Sequence, residues 1–342
     1  MLICSGLEKQ FYTQERELPM NLSTVYMGLN LRNPLIVGSS GLTGTTANVK
    51  KCYDAGAGAV VLKSIFEEQI ESDMGNMAEE SNWYPEAMDY ISAYGSENAV
   101  SKHLTLLEES RKSFDIPVIP SVHCFGKGDW VEYGRKLENS GASGIELNAF
   151  ILPSDPRRKG RENENVILDI VSDMKSQVSI PVAVKIGPYF SSLSGFVQEL
   201  DGIGADAVVI FNRFFRIDFD IENLKVVSGS RFSATEETEE VLRWVSILNP
   251  LTKNDICATT GIHDGASVVK HLLAGAKAVQ VCSSVYKNGL GVISDMLGFL
   301  ADWMRNHNYN STDDFIGKLS QNRRGNPAEL ERVQFMKTSV RS

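Results

Sequence analysis

The stretch GAGAVVLKS at residues 56–64 decides the fold, because its pattern of Gly-Ala followed by an apolar run recurs three more times. The other copies are GASGIELN at 141–148, GADAVVIFN at 204–212 and GAKAVQVCSS at 275–284. An amphipathic stretch such as ANVKKCYDA or ASVVKHLLA precedes the pattern. Glycine just past a helix end supplies the left-handed residue that ends the helix, and a short β-rich apolar run is typical of a buried parallel strand. The repeat therefore predicts an αβ unit used several times.

Completing the series predicts eight strands separated by helices. The predicted strands are 35–40, 59–64, 117–122, 144–148, 181–186, 207–212, 255–260 and 278–283. The predicted helices are 46–55, 128–140, 162–178, 192–203, 236–248, 264–274 and 289–306. This alternation is typical of a (β/α)₈ TIM barrel, an α/β fold that forms a single domain. A doubly wound open sheet is the alternative, but it usually has fewer strands, and GLTG at 41–44 is a poor match to its glycine-rich turn.

The barrel is predicted to occupy residues 20–322, with an N-terminal extension at 1–19 and a C-terminal tail at 323–342. Two connections, 65–115 and 213–235, are longer than simple crossovers and follow the second and sixth predicted strands. Long βα connections lie on the catalytic face of a barrel and commonly build lids or substrate pockets. We therefore expect these two insertions to border the functional site.

Composition and the spacing of residues argue against several classes of protein. The 342 residues include 34 Lys and Arg against 43 Asp and Glu, a net charge of −9, which argues against a nucleic-acid partner. No apolar run approaches the roughly 20 residues of a membrane span. The histidines have no metal-like spacing, so no bound metal is expected. The five cysteines are never spaced C-x-x-C, which predicts reduced thiols in a cytoplasmic protein. These cysteines are Cys4, Cys52, Cys124, Cys257 and Cys282.

Every predicted strand ends in hydrogen-bonding residues. These are Ser39 and Ser40, Lys63 and Ser64, Ser121 and His123, Asn148, Lys185, Asn212, Thr259 and Thr260, and Ser283 and Ser284. Strand ends are exposed to solvent and favour serine and threonine in any case. This explanation accounts poorly for two lysines and two asparagines. Because the carboxyl ends of barrel strands form the active-site face, the pattern predicts a functional site there.

The chemistry of these residues indicates a phosphorylated ligand with a flat ring. TTGIHDG at 259–265 and CSSVYKNG at 282–289 bring small residues to the turns after the last two strands, where many barrels bind phosphate. The amides of Asn148 and Asn212 suit a heterocycle with alternating C=O and N–H groups. Lys185 has two open roles, since it could stabilise negative charge on a cofactor ring or form a Schiff base with a carbonyl substrate.

Taken together, several motifs resemble those of the dihydroorotate dehydrogenases, most closely the class 1 enzymes. They are NPLIVGSSG, AVVLKS, IELN, VAVKIGPYF, VVIFN, TTGIHDGASVVKHLLAGAKAVQV and DDFIGKL, in this order. The resemblance implies an FMN-binding (β/α)₈ barrel, a small-molecule substrate, a homodimer, a cytoplasmic location and a place in pyrimidine biosynthesis. It assigns FMN to Gly38, Ser39, Lys63, Ser64, Asn148, Lys185, Asn212, Gly229, Thr260, Gly261, Cys282 and Ser283. It assigns the substrate to Lys63, Ser92, Asn98, Asn148 and Asn212, and gives Lys185 the role of stabilising the anionic reduced flavin.

The loop after the fourth predicted strand departs from the family. The family reads Asn-x-x-Cys-Pro-Asn, or serine in place of the cysteine, whereas this chain reads Asn148-Ala-Phe-Ile-Leu-Pro153. Ile151 therefore occupies the position of the catalytic base and cannot accept a proton. The candidate replacements are His123, Cys124 and Ser154, with Asp155 beside the last. The basic run from Arg157 to Arg161 could attract an anionic substrate, although a solvated approach to a helix explains it as well.

We predict an FMN-dependent oxidoreductase that acts on a CH–CH bond of dihydroorotate, a related dihydropyrimidine or another small anionic substrate. Two alternatives remain open at this point. The first is a Schiff-base aldolase that uses Lys185 or Lys63 on the same barrel. The second is a homologue that binds FMN without catalysis.

Overall fold

A computed structural model describes residues 20–67, 70, 98–124, 130–149, 151–323 and 327–332. Its largest sheet contains ten short strands in the order β5-β7-β8-β9-β10-β13-β14-β3-β4-β6. These strands are β3 (Leu35–Val37), β4 (Ala59–Val61), β5 (Ile65–Phe66), β6 (Val118–Ile119), β7 (Ser121–His123), β8 (Ile145–Asn148), β9 (Val182–Ile186), β10 (Ala207–Ile210), β13 (Asp255–Thr259) and β14 (Ala278–Val281).

The sheet closes into an eight-stranded parallel barrel, which confirms the predicted fold class. β4 and β5 are two parts of one interrupted strand, and β6 and β7 are two parts of the next. β4 pairs with β6 and β5 pairs with β7, so these two strands join the two ends of the sheet. Pro120 separates β6 from β7. Proline lacks the N–H that a continuous ladder would need at this point, which explains the interruption.

Helices surround the barrel in chain order. They are α1 (Thr46–Asp54), α2 (Ala99–Ser113), α3 (Trp130–Asn139), α4 (Gly160–Gln177), α5 (Leu193–Gly202), α6 (Thr238–Leu248), α7 (Gly265–Ala274), α8 (Ser283–Asn288) and α9 (Gly291–Asn306). Within the described residues, no helix is both long and apolar enough to cross a membrane.

Besides the interruption at Pro120, the structure differs from the predicted elements in three places. The predicted helix 289–306 is α9, and it is preceded by the unpredicted short helix α8, which Gly289, with a φ of 78°, separates from α9. The interval 65–115, predicted as an insertion, contains β5 and α2, and α2 packs between α1 and α3 as a regular outer helix. Strand β10 ends at Ile210 rather than 212, although Asn212 N still donates to the backbone oxygen of Ile186 on β9 at 2.8 Å.

A short antiparallel hairpin closes the amino-terminal end of the barrel, opposite the mouth formed by the carboxyl ends of the strands. Its strands are β1 (Thr24–Tyr26) and β2 (Leu29–Leu31). Tyr26, Met27 and Leu31 are buried against the inward-facing residues of the barrel strands, such as Ile36 and Val209. The apolar interior is thus sealed at its amino-terminal end, and only the carboxyl ends of the strands open to solvent.

The connection after β10 forms a second hairpin, from β11 (Ile217–Asp220) and β12 (Lys225–Ser228). Every residue of its strands is solvent-exposed except Asp220, which is half-buried. Polar and apolar residues alternate along FRIDFDIENLKV at 215–226, so the apolar side chains share one face. The predicted insertion at 213–235 is therefore a protruding amphipathic hairpin.

Candidate active site

A cavity of about 270 Å³ lies at the carboxyl ends of β9, β10, β13 and β14. It brings together seven of the residues that the family resemblance assigned to FMN. These are Ser39, Lys185, Asn212, Thr260, Gly261, Cys282 and Ser283. The prediction that polar strand ends converge at the barrel mouth is confirmed for this half of the ring.

Lys185 lies at the inner end of the cavity and is nearly buried, with 12% of its side chain exposed. Its Nζ donates to Gln280 Oε1 at 3.1 Å and lies 3.6 Å from Glu146 Oε1. Gln280 Nε2 in turn donates to Glu146 Oε2. The ammonium group is thus fixed from below by an amide and a carboxylate, while its side chain lines the open cavity.

The two predicted asparagines meet next to this lysine. Asn212 Nδ2 donates to Asn148 Oδ1 at 2.7 Å, and Asn148 pairs in register with Lys185 on the neighbouring strand. Their remaining amide groups offer both a donor and an acceptor on adjacent strands. This arrangement can bind a flat heterocycle with alternating polar groups, as the sequence predicts.

On the other side of the mouth, three hydroxyl groups form a chain. Ser39 Oγ lies 3.0 Å from Ser64 Oγ, which lies 2.8 Å from Ser121 Oγ. Ser64 N also donates to Ser39 Oγ at 2.9 Å. Gly38 is buried next to this chain, where a Cβ would lie 3.0 Å from Cys282 Sγ. The absence of a side chain at Gly38 keeps this approach between β3 and β14 open.

The outer end of the cavity carries two arginines that the sequence analysis did not single out, Arg213 and Arg231. Arg213 Nε donates to Glu237 Oε2 at 3.0 Å, and its Nη1 donates to the backbone oxygen of Ser230 at 2.9 Å. Its Nη2 is buried and has no hydrogen-bond partner among the described residues. A buried guanidinium nitrogen without an acceptor is costly, so this end of the cavity suits an anion such as a phosphate.

Backbone groups predicted to hold a phosphate are partly engaged with the protein itself. Gly261 N donates to Ser233 Oγ at 3.3 Å, and Ser233 N donates to Ser283 Oγ at 3.0 Å. At the start of α7, Asp264 Oδ1 accepts from Ser267 N at 2.7 Å and so caps that helix. The cations and hydroxyls of the cavity, rather than the end of α7, are therefore the groups best placed for an anion.

The loop after β8 places Ile151 away from this cavity. Ile151 is half-buried and lines a separate, mainly apolar cavity of about 260 Å³ together with Pro153, Tyr189 and Phe190. Ser154 is exposed on the same loop. The carboxylate of Asp155 is exposed, and hydrogen bonds from Arg157 lower its pKa to about 2, so it remains ionised.

The other two candidate bases lie at the end of β7. His123 is buried, pairs in register with Asn148 and has its ring centroid 4.9 Å from that of Phe66. Burial lowers the pKa of His123 to about 4, so its imidazole is neutral at neutral pH. Cys124 is buried, with Sγ 3.8 Å from the backbone oxygen of Val122. Of the candidate bases, only His123 lies beside a residue of the predicted site.

Several predicted residues lie outside the cavity. Gly229 is at the base of the β11–β12 hairpin, where its N–H donates to the oxygen of Arg216 at 2.7 Å. Asn98 is exposed immediately before α2. Lys63 is half-buried after β4, near Gly44. Ser92 lies outside the described residues.

Sequence reasoning missed Glu146 and Gln280, although a signal for both was present. Each is a polar residue inside an apolar strand, two positions before a predicted site residue, Asn148 or Cys282. Because side chains alternate across a strand, residues two apart share a face, and both must therefore point into the barrel.

Among the described residues, no group of three or more His, Cys, Asp or Glu could hold a metal ion.

Comparisons with known proteins find a matching family and curated relatives. The model of the dihydroorotate dehydrogenase family matches residues 21–304. A curated relative from Thermoplasma acidophilum, dihydroorotate dehydrogenase B (NAD(+)), catalytic subunit, is 28% identical over 309 residues, covering 87% of this chain and 98% of the relative. The protein of the same name from Pyrococcus abyssi is 29% identical over 302 residues, covering 85% of this chain and 96% of the relative.

Proposed function

Since this chain belongs to the dihydroorotate dehydrogenase family and is an oxidoreductase, we propose that it binds FMN at the barrel mouth and oxidises a CH–CH bond. The proposed substrate is dihydroorotate, a related dihydropyrimidine or another small anion. Membership in this family favours redox chemistry over the Schiff-base aldolase that the position of Lys185 also allowed.

The observation that carries this proposal is the set of cationic side chains around the 270 Å³ cavity. Lys185, Arg213 and Arg231 line it, and the buried Nη2 of Arg213 has no hydrogen-bond partner among the described residues. FMN carries a phosphate at one end and, when reduced, a negative charge on its ring at the other, so these residues fit it. When bound, FMN would supply the two-electron acceptor for the reaction.

Residues of this chain would perform three tasks. Arg213, Arg231 and the hydroxyl of Ser283 would bind the phosphate. Asn148 and Asn212 would orient the planar groups, and Lys185 would stabilise the negative charge that develops on reduction. Oxidation of a CH–CH bond removes a hydride and a proton, and the proton needs an acceptor on the protein.

We propose that His123 accepts the proton released by the substrate. Ile151 stands at the family position of the base and has no group that can accept a proton, and Ser154 is exposed to solvent. His123 is neutral at neutral pH because burial lowers its pKa, and it lies beside Asn148. A base with so low a pKa is weak, which favours a substrate whose C–H bond is more acidic than that of an unactivated alkane.

The test begins with purified protein. We expect a yellow sample that releases FMN on denaturation, and anaerobic addition of the substrate should bleach the flavin absorbance. Dihydroorotate and a panel of dihydropyrimidines provide the substrates, and Lys185→Ala should bind FMN more weakly and slow its reduction. Protein without flavin would refute the proposal, as would covalent trapping of a carbonyl substrate on Lys185 by borohydride.

A flavin that remains oxidised with every member of the panel would indicate the non-catalytic alternative. That result would support FMN binding and refute the proposed oxidation of a CH–CH bond.

We also propose that the protein is a cytoplasmic homodimer. The described cysteines Cys52, Cys124, Cys257 and Cys282 are free thiols, as expected in a reducing compartment. The apolar face of the β11–β12 hairpin is the surface that fits a second copy. Its side chains are Phe215, Ile217, Phe219, Ile221, Leu224 and Val226, and each is at least 57% exposed.

The exposed apolar area of this face is what argues for a second copy. Each of the six side chains exposes on the order of 100 Å², or roughly 600 Å² together, which is at the upper end of the largest apolar patches on monomers. Stable interfaces bury roughly 800 Å² per partner, and a flat apolar face can pack against its own copy. Phe219→Asp should produce a monomer in sedimentation velocity, whereas Asp218→Asn on the opposite face should not. A monomeric wild-type protein would refute this assignment.

A further inference from the structure

The interior of the barrel holds a carboxylate that the reaction described above does not use. Glu146 lies on β8 with 2% of its side chain exposed, among the apolar residues that fill the barrel. Its Oε2 accepts from Gln280, but its Oε1 has no hydrogen bond among the described residues. Lys185 Nζ lies 3.6 Å from that oxygen and forms an ion pair with it.

A buried carboxylate is expensive to desolvate, and a purely structural role would be served as well by an apolar residue of similar size. Glu146 and Gln280 come from β8 and β14, which are separated in the barrel by β9, β10 and β13. Their contact therefore crosses the interior, where strand pairing does not enforce it. Gly38 makes room for this contact, because a Cβ there would lie 3.2 Å from Gln280 Oε1.

The orientation of Gln280 links the two charges. Its amide oxygen accepts from Lys185 Nζ at 3.1 Å, and its amide nitrogen donates to Glu146. If the Gln280 amide were turned over, its nitrogen would face the ammonium group and its oxygen would face the carboxylate. Lys185 and Glu146 together therefore select the observed amide orientation. Lysine, amide and carboxylate thus form a closed triangle directly below the cavity.

We propose that Glu146 is a positioning residue that acts through Lys185 and sets how strongly this lysine stabilises a reduced ring at the barrel mouth. The carboxylate and Gln280 hold the ammonium group in one place, and the negative charge partly balances the positive one. This inference rests on the proposed binding of FMN, because the ring is the group on which Lys185 acts.

The sign of the effect follows from the charges. A cation near the ring favours its anionic reduced form, and a carboxylate 3.6 Å from that cation opposes the effect. Glu146→Gln removes the negative charge with little change in shape. The midpoint potential of the bound flavin should therefore rise. Glu146→Asp keeps the charge but shortens the side chain by one methylene, which lengthens its distance to Lys185, so the potential should rise by a smaller amount.

The experiment is a spectroelectrochemical titration of the FMN-loaded protein and its variants, at one pH and one salt concentration. For Glu146→Gln we expect the equilibrium between oxidised and reduced flavin to shift about tenfold toward the reduced form, about 30 mV for a two-electron couple. Glu132→Gln is the matched control, because Glu132 is an exposed carboxylate on α3 that pairs with Lys136 outside the barrel. It should leave the potential unchanged.

The outcomes separate this inference from the proposed function. Wild-type protein that takes up no FMN would overturn both. Wild-type and Glu146→Gln proteins that bind FMN with the same midpoint potential would overturn only the role of Glu146. If Glu146→Gln does not fold, Glu146→Asp decides, since a wild-type potential in that variant overturns the role and a raised potential supports it.

Discussion

Acidification provides a direct test of the buried interior, because three histidines lie inside this protein. His103 packs behind β5 with Nδ1 2.5 Å from Tyr133 Oη, and His271 on α7 has Nδ1 2.8 Å from the oxygen of Ser267. His123 lies at the barrel mouth. Burial lowers the pKa of each imidazole from 6.5 to about 4.

The magnitude follows from the difference between folded and unfolded pKa values. Between pH 6.5 and about 4 the unfolded chain binds more protons than the folded one, so the free energy of unfolding falls as the pH falls through this window. One pKa unit corresponds to about 1.4 kcal/mol, so each histidine costs about 2 kcal/mol at pH 5 and the three together about 6 kcal/mol. This loss is comparable to the whole stability of many domains, about 5–15 kcal/mol.

The assay is urea unfolding followed by tryptophan fluorescence at pH 7, 6 and 5. His271→Asn keeps a donor for the oxygen of Ser267 but removes the titrating ring, so the loss between pH 7 and 5 should shrink by about one third. His307→Asn, at an exposed histidine on the surface, is the control and should show the wild-type loss. Equal stability at pH 7 and pH 5, or a wild-type loss in His271→Asn, would show that these imidazoles are not held neutral by burial.

Three further predictions concern the site. Ile151→Cys should leave the rate of anaerobic flavin reduction by dihydroorotate unchanged, because residue 151 lines a separate cavity; a gain of about 10²-fold or more would contradict this placement of the loop and the role of His123. Gly261→Ala should reduce FMN content and stability, because Gly261 has a φ of 78° and its Cβ would lie 2.3 Å from Thr238 N; fluorescence of released FMN and urea unfolding measure both, and normal values would contradict the strain. With His123 as proton acceptor, kcat/KM should stay constant from pH 7.5 to 6, since the pKa of His123 is lowered to about 4; a fall centred near pH 6.5 would indicate an ordinary solvated histidine instead.

Much of the fold could be predicted from local patterns alone. The Gly-Ala repeat placed four of the eight barrel strands and completing the series placed the other four, because buried parallel strands are short apolar runs and glycine ends the helices before the repeated ones. The ends of elements were less accurate. The short helix α8, which ends just before Gly289, was not predicted. Pro120 divides a predicted strand into β6 and β7, because proline cannot supply the N–H of a continuous ladder.

Only some of the site residues could be predicted from the sequence, and there is a physical reason why the others could not. Residues at strand ends, such as Lys185 and Asn212, could be found because the geometry of a barrel brings all carboxyl ends of its strands to one face. Arg213 and Arg231 could not, because they follow the strand in an irregular connection whose path depends on contacts with Ser230 and Glu237.

What the sequence by itself determined is the barrel and the kind of groups at its mouth, since both depend on periodicity and on the order of residues along each strand. What only the tertiary structure decided is the pairing across the barrel. Glu146 and Gln280 are 134 positions apart, and they meet because closure of the sheet turns two non-adjacent strands toward each other. No local pattern encodes such a contact, because its distance is set by the radius of the closed barrel rather than by spacing along the chain.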